Sequence, residues 1–353
     1  MKRYQRAFTL IEMVVVIAII TILVGLVLPA LSGARDRGRT LVCLSRLREL
    51  GAGWQIYADQ NENVILPGHM YEKPGGFTNP ENWYNVGNGL KYRPRWVATM
   101  GAQVGIYAFN QPKTDDDRQD YDNDIYVCPS EPTWRNERNH GFGYNHQFLG
   151  NARQTDGKFH NFPVQMHRIT KPGGTVVGGD ALGTAAGFRT YDRGGYDRLG
   201  SEYNSKGNHA YTLDPPRLTD ESDRGSGDED SPRTAVDPRH QEKANVIFAD
   251  NHGAKMSEYE LGYRLTKGGE YVEQGPGGED DVGGGGGDTG RVVPGSSGAG
   301  RVTGRSLSAS YETARSDASL QAEVDEEDVA HNRLFSGTGR DDDPPAIPQA
   351  AGG

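Results

Sequence analysis

The sequence predicts an α+β protein: a long N-terminal α-helix, transmembrane then amphipathic, packed on a small antiparallel β-sheet head, with a disordered C-terminal tail. Three observations predict it. Residues 8–28 are apolar apart from Thr9, Glu12 and Thr21, and at about 1.5 Å per residue such a run crosses a hydrocarbon core of about 30 Å. Leu44, Leu47, Leu50, Trp54 and Tyr57 then recur at steps of three and four, which draws one apolar stripe along a helix. Short β-rich runs such as Thr175-Val176-Val177 and Asn245-Val246-Ile247-Phe248-Ala249 follow, separated by Gly, Pro and Asn turn residues.

Composition bounds the rest. The chain has 353 residues, and its 35% hydrophobic content suffices for a core. With 49 Gly and 19 Pro, part of it buries too little apolar surface to fold. A net charge of -10 argues against a nucleic-acid partner, which selects clustered Lys and Arg. The two cysteines, Cys43 and Cys128, form no CxxC, so a zinc knuckle and a thioredoxin-type redox pair are both excluded. They leave one disulfide or two small buried thiols.

In chain order, residues 1–7 carry Lys2, Arg3 and Arg6 and read as a cytoplasmic leader, and residues 8–28 as the transmembrane helix. A secretory signal peptide competes, but its apolar region is about 7 to 15 residues, shorter than this run. Arg35, Arg37 and Arg39 on the far side balance the leader's cations, so charge bias alone does not set orientation. Glu12 is the informative residue, because a carboxylate at mid-bilayer costs roughly 2.5 to 3.5 kcal/mol. Either it snorkels to the interface or a cation compensates it.

Phe8-Thr9-Leu10-Ile11-Glu12 resembles the cleavage and methylation segment of the type IV prepilin family. The resemblance implies processing between Ala7 and Phe8, methylation of the new Phe8 amine, and an assembly role for Glu12, whose carboxylate would meet the Phe8 amine of a neighbouring subunit. It also implies that the leader is cytoplasmic, the protein single-pass in the inner membrane and the head periplasmic, or at the cell surface once assembled. Ala7 stands where the family usually has Gly. Pro29 fits the resemblance, since pilin helices commonly carry a proline at this distance, and the helix is expected to continue as an amphipathic segment over residues 29–62.

Residues 63–267 are expected to form the β-rich head. Trp83, Tyr84, Tyr92 and Trp96 fill a thin core or form a carbohydrate-stacking platform. Asp115, Asp117, Asp120, Asp122 and Asp124 alternate along one stretch, with Arg118 the cation among them, a pattern that suits Ca2+ or a solvated loop. Cys43-Leu44-Ser45-Arg46, Cys128-Pro129-Ser130-Glu131 and Gly143-Tyr144-Asn145 resemble a group of pseudopilin-like proteins abundant in planctomycetes, whose head ends in His-x9-Asp-Gly. His240 and Asp250 keep that spacing, with Asn251 for Gly and His252 after it. Asn tolerates positive φ, so a β-hairpin turning at Asp250-Asn251 is expected. His240, Asp250 and His252 form either a hydrogen-bonded lock or a three-ligand metal site. Gly178-Gly179-Asp180 reads as a strand end rather than a phosphate loop, because no helical run follows it.

No GxSxG or HExxH motif occurs, and an enzyme is not expected. The expected function is a structural pilin-like subunit of a type II secretion or type IV pilus-like filament. Its implied partners are other pilin-like subunits, prepilin peptidase and an inner-membrane assembly platform. A membrane-anchored module that binds calcium or polysaccharide is the alternative. Residues 268–353, with an unbroken glycine run over 283–287 and a marginal helix between 307 and 329, are expected to be disordered, as is the acidic insert between Pro215 and Pro238.

Overall fold

The computed structural model describes residues 9–68, 70, 73–116, 118–137, 139–150, 164–183, 211–218, 234–264, 271, 332–338 and 340, with the backbone of two short strands between 153 and 160. The α+β class holds: one long helix carries a small antiparallel head.

Helix α1 (Leu10–Gln60) runs 51 residues without a break, about 75 Å at 1.5 Å per residue. Its start is a capping box. The Thr9 backbone N–H and hydroxyl donate to Glu12 Oε2 at 2.8 and 2.7 Å, and the Glu12 N–H donates back to Thr9 Oγ1 at 3.3 Å. Pro29 removes one backbone bond, yet the helix continues through it. Every residue from Thr9 to Arg39 is exposed, including Leu10 at 82% and Leu26 at 72%. Burial begins abruptly with Thr40, then Cys43, Leu47, Leu50, Gly51, Gly53, Trp54 and Ala58. The expected stripe is therefore rotated slightly: Leu44 and Tyr57 are only half-buried, and Cys43 and Ala58 take the central positions.

The head follows. Strands β1 (Trp83–Asn85) and β2 (Leu90–Tyr92) form a hairpin that leads into helix α2 (Trp96–Val104), which packs on α1. Strand β3 (Phe142–Tyr144) precedes a second hairpin, β4 (Arg153–Thr155) with β5 (Lys158–His160). The main sheet adds β6 (Val176–Asp180), β7 (Ala244–Phe248) and β8 (Gly253–Met256), antiparallel throughout in the order β3-β6-β7-β8. All five residues of β6 and of β7 are buried, because α1 covers the sheet. Gly51 permits the close approach: a Cβ there would lie 2.5 Å from Asn251 Oδ1 and 2.7 Å from Ile247 Cγ1. Gly178 and Gly179 are interior strand residues. A Cβ at either would press to about the same degree on a neighbouring carbonyl, 2.5 Å from Gly143 O or 2.6 Å from Asn245 O. The glycine pair serves strand packing.

The Gly143-Tyr144-Asn145 segment lies at the centre of the head. The Trp54 indole donates to Tyr144 Oη at 2.9 Å, and that hydroxyl reaches Leu66 O at 3.0 Å. Asn145 Nδ2 donates to Val176 O and Phe335 O at 2.8 and 3.0 Å. The latter bond reports a departure from the sequence expectation. Within the stretch read as tail, residues 332–338 are built into the head: Asn332 and Phe335 are buried, and the Val176 N–H donates to Leu334 O at 2.6 Å. The short apolar pair Leu334-Phe335, set among polar residues, has too little periodicity to announce itself. The expected glycine run, the marginal helix over 307–329, the chain end after 340 and residues 219–233 of the acidic insert lie outside the described residues.

Removing the Phe335 ring should expose how much this segment supports the head. Phe335→Ala is expected to destabilise it by about 3–5 kcal/mol, read as a lowered urea midpoint of the full chain in detergent. An unchanged midpoint would remove the C-terminal segment from the core.

Candidate functional site

Four chain segments converge where α1 enters the head. Cys43 comes from α1, Cys128 from the turn after a short 3-10 helix (Asp124–Tyr126), Asp180 from the last position of β6, and His240 from the loop before β7. All four are 0–2% exposed, and their ligating atoms lie within 4.8 Å of one another. Cys43 Sγ donates to Asp180 Oδ1 at 3.4 Å, Cys128 Sγ lies 3.6 Å from His240 Nε2, and His240 Nε2 lies 3.3 Å from Asp180 Oδ2. Both cysteines are free thiols.

The surroundings fix each group. Asp180 Oδ2 accepts the Asn245 N–H at 2.7 Å, and Asn245 Nδ2 donates to Thr40 O at 3.1 Å, which ties the sheet to the helix. Thr40 Oγ1 donates to Asp36 O at 2.9 Å and faces His240 Nδ1 at 3.3 Å. With its proton committed to Asp36, the Thr40 hydroxyl accepts from Nδ1–H, which also faces Ser130 Oγ at 3.5 Å, so Nε2 is the atom aimed at Asp180 and Cys128. Arg239, in the adjacent position, pairs with Asp237 at 2.9 Å and donates to Ala181 O at 2.5 Å.

These charges interact strongly. Burial opposes a charged His240, but the hydrogen bonds and charges of Asp180 and Cys128 outweigh it and push the imidazole up to about 9. Burial, with Cys128 and Asp180 adding to it, holds the Cys43 thiol well above its ordinary value. Burial works against ionising Cys128 too, yet hydrogen bonds from Cys43 and His240 and the charge of Arg239 pull that thiol down. Of the two sulfurs, Cys128 is the more readily ionised. The centre therefore gathers two sulfurs, a carboxylate and an imidazole nitrogen in a dry volume bounded by helix and sheet.

Residues 2–28 match the family described as "Prokaryotic N-terminal methylation motif". That N-terminal segment is prepilin-like. Over 92 residues the chain is 30% identical to "Type II secretion system core protein G" of Pseudomonas aeruginosa, a match covering 24% of this chain and 63% of that protein. No solved structure matches the chain.

In this segment, Glu12 caps the exposed start of α1, while Ala7 and Phe8 lie outside the described residues. Cys128 and His240 of the head motif enter the buried centre; Asp250, Asn251 and His252 do not. His240 precedes β7 and the other three follow it, and a five-residue strand spans roughly 16 Å. The three-ligand grouping of His240, Asp250 and His252 weighed from the sequence is thus not assembled. The lock expected among all three is reduced to Asp250 and His252 at the turn, without His240. Asp250 Oδ1 accepts from His252 N and Nδ1 at 3.1 and 2.6 Å, His252 stacks on Phe248 at 4.2 Å, and Asn251 turns the chain at φ 67°. The sequence reading missed Asp180 and Thr40. A carboxylate at the end of the buried strand Val176-Val177-Gly178-Gly179 was the available signal, since a buried Asp needs a partner.

The acidic stretch is held from an unexpected direction. Lys91 of β2 is fully buried, donates to Asp116 O and pairs with buried Glu137 at 3.4 Å. Asp115, Asp120, Asp122 and Asp124 are exposed; Asp122 accepts from Asn110 N at 2.7 Å, Asp124 faces Arg46 at 3.8 Å, and Asp117 lies outside the described residues. Trp96 is only 6% exposed and donates to Tyr211 O at 2.8 Å, so it belongs to the core and cannot share a surface platform with Trp83.

Two expectations follow from this geometry. Asn251→Gly should leave stability within about 0.5 kcal/mol, whereas Asn251→Val should cost about 1–2 kcal/mol because a β-branched residue resists positive φ; equal melting temperatures for both would contradict the turn. His140, beside Trp96 and Tyr121, is driven down to about 3 by burial and by the charges of Arg95 and Arg239. In the unfolded chain its value is about 6.5. As pH falls from that value the unfolded state takes up a proton the folded state refuses, so stability falls, by up to about 1.4 kcal/mol per pH unit. Unfolding curves of wild type and His140→Phe between pH 6 and pH 4 should diverge by that slope, and parallel curves would refute a buried neutral imidazole.

Proposed function

We propose that the chain is a structural pilin-like subunit of a type II secretion or type IV pilus-like filament, anchored in the inner membrane with its head in the periplasm. The observation that carries this reading is the exposed stretch of α1. From Thr9 to Arg39 it is exposed, with none of the described residues of the head covering it, its first twenty residues are almost wholly apolar, and it continues unbroken into the half that holds the head. A water-soluble protein would have to bury that surface; a bilayer and then a bundle of like helices provide the burial. The methylation motif over residues 2–28 and the likeness to a type II secretion core protein support the same reading.

In this mechanism prepilin peptidase removes the leader before Phe8, and an assembly platform moves the subunit from the membrane into the filament. Lipid contacts are exchanged for helix–helix contacts, and the Glu12 carboxylate meets the Phe8 amine of a neighbour. No reacting group is required of the head.

The capping box makes a sharp test available, because Gln serves at the third helical position as Glu does. Glu12→Gln keeps the cap and removes the charge. Like Glu12→Ala, it is expected to retain leader cleavage and lose filament incorporation, measured by mass spectrometry of the processed N-terminus and immunoblotting of sheared filaments. Normal incorporation of the Gln variant would sink the charge-pair mechanism.

A further inference from the structure

The buried centre has the composition and the dimensions of a metal site. Zinc takes thiolate sulfur at about 2.3 Å, imidazole nitrogen at about 2.0–2.1 Å and carboxylate oxygen at about 2.0–2.2 Å, in tetrahedral structural sites. Around a tetrahedron those lengths set ligand-to-ligand edges of about 3.6 Å for sulfur to oxygen, about 3.6 Å for sulfur to nitrogen and about 3.4 Å for nitrogen to oxygen. The corresponding separations are 3.4 Å from Cys43 Sγ to Asp180, 3.6 Å from Cys128 Sγ to His240 Nε2, and 3.3 Å from His240 Nε2 to Asp180. Cys43 faces Asp180 Oδ1 and His240 faces Oδ2, so with either oxygen as the ligand two edges of the polyhedron are already close to length.

We propose that Cys43, Cys128, Asp180 and His240 bind one zinc ion that fastens the head to α1.

A second, independent feature points the same way. The Thr40 hydroxyl spends its proton on Asp36 O and holds Nδ1–H of His240, leaving Nε2 as the ligating nitrogen. Metal-bound histidines are oriented in this manner through their second nitrogen. Asp180 is likewise pinned by the Asn245 N–H at 2.7 Å. Two sulfurs with an imidazole select a soft or borderline ion over calcium or magnesium. Four protein ligands, all essentially inaccessible to solvent, leave no open position for substrate, so the role is structural rather than catalytic. Binding expels the thiol protons and the Nε2 proton of His240, which keeps its Nδ1 proton. The bound ion with two thiolates and one carboxylate carries one net negative charge, which the neighbouring Arg239 guanidinium offsets. The ligands come from positions 43, 128, 180 and 240, so no local spacing motif marks them, and the ion would join α1 to three separate parts of the head.

The test uses the full chain in detergent, purified under reductant without chelator and then equilibrated with zinc alone. Elemental analysis should give one zinc per chain, and Cys43→Ser and His240→Asn should each lose it. Because those variants remove buried groups and can fail to fold, Thr40→Val is the companion: it keeps all four ligands and the helix, and should weaken zinc binding about 10- to 100-fold in a chromogenic chelator competition. Cobalt(II) in place of zinc should show the intense visible bands of a tetrahedral thiolate site. Failure to take up zinc, copper or iron at one equivalent instead, undiminished zinc in folded Cys43→Ser or in Thr40→Val, or a Cys43–Cys128 disulfide in the equilibrated protein would each overturn the assignment. None of these readouts depends on filament assembly.

Discussion

The contact on which the structure depends is the crossing of α1 over β7. A single helix is apolar all round as far as Leu28 and one-sided in its second half, and after a polar stretch over residues 32–39 burial begins at Thr40. From there the buried positions fall on one face, and Gly51 lets the helix backbone settle against the Asn251 turn and Ile247. Four long-range ties of the head start from this helix: Trp54 to Tyr144, Gln55 Nε2 to Ala249 O at 2.8 Å, Arg46 to Val127 O at 2.6 Å, and Asn245 to Thr40. Strands of three to five residues would be marginal as an isolated sheet, and the helix supplies the second layer.

A head with such short strands has a thin apolar core, and it compensates with directed polar bonds in dry places. Asn145 bridges β6 and the C-terminal segment, Asn82 Nδ2 holds Lys73 O and Gly76 O at 2.8 and 3.0 Å, and Asp214 and Thr234 bond to each other across the insert. Each such group is costly to bury alone and informative when paired. Networks of this kind specify one arrangement more than they add raw stability. The Cys43, Cys128, Asp180 and His240 group is the densest case, and it sits where the helix and three parts of the head meet.

Much of this architecture was legible in the sequence, for reasons that can be named. The apolar run over 8–28 and the three-four spacing after it are periodic signals, and periodicity survives without knowledge of tertiary contacts. The β7–β8 hairpin was legible because Asn251 offers positive φ between two strand-like runs. What escaped was non-periodic. Phe335 reaches the core from a polar segment more than 150 residues after the strand it joins. The grouping of His240 with Asp250 and His252 looked plausible because they are near in sequence, whereas an extended strand separates them. Asp180 was hidden by its glycine neighbours, which suggested a turn or strand end and not a polar centre. Lys91, the cation that anchors the acidic stretch, lies on another strand and was invisible to local charge counting.

Continuity of α1 has a mechanical corollary. Because the apolar half and the docked half are one rod, the azimuth of the head about the helix axis is indexed to the rotational phase of the spanning segment. Each residue of an α-helix advances that phase by about 100° and the axial position by about 1.5 Å. The stretch between Leu31 and Arg39, exposed in the structure, acts as a drive shaft whose residue count fixes where the head points. Torque applied at the membrane is delivered to the sheet, and an array of such helices would display its heads at angles dictated by the packing of the rods beneath them.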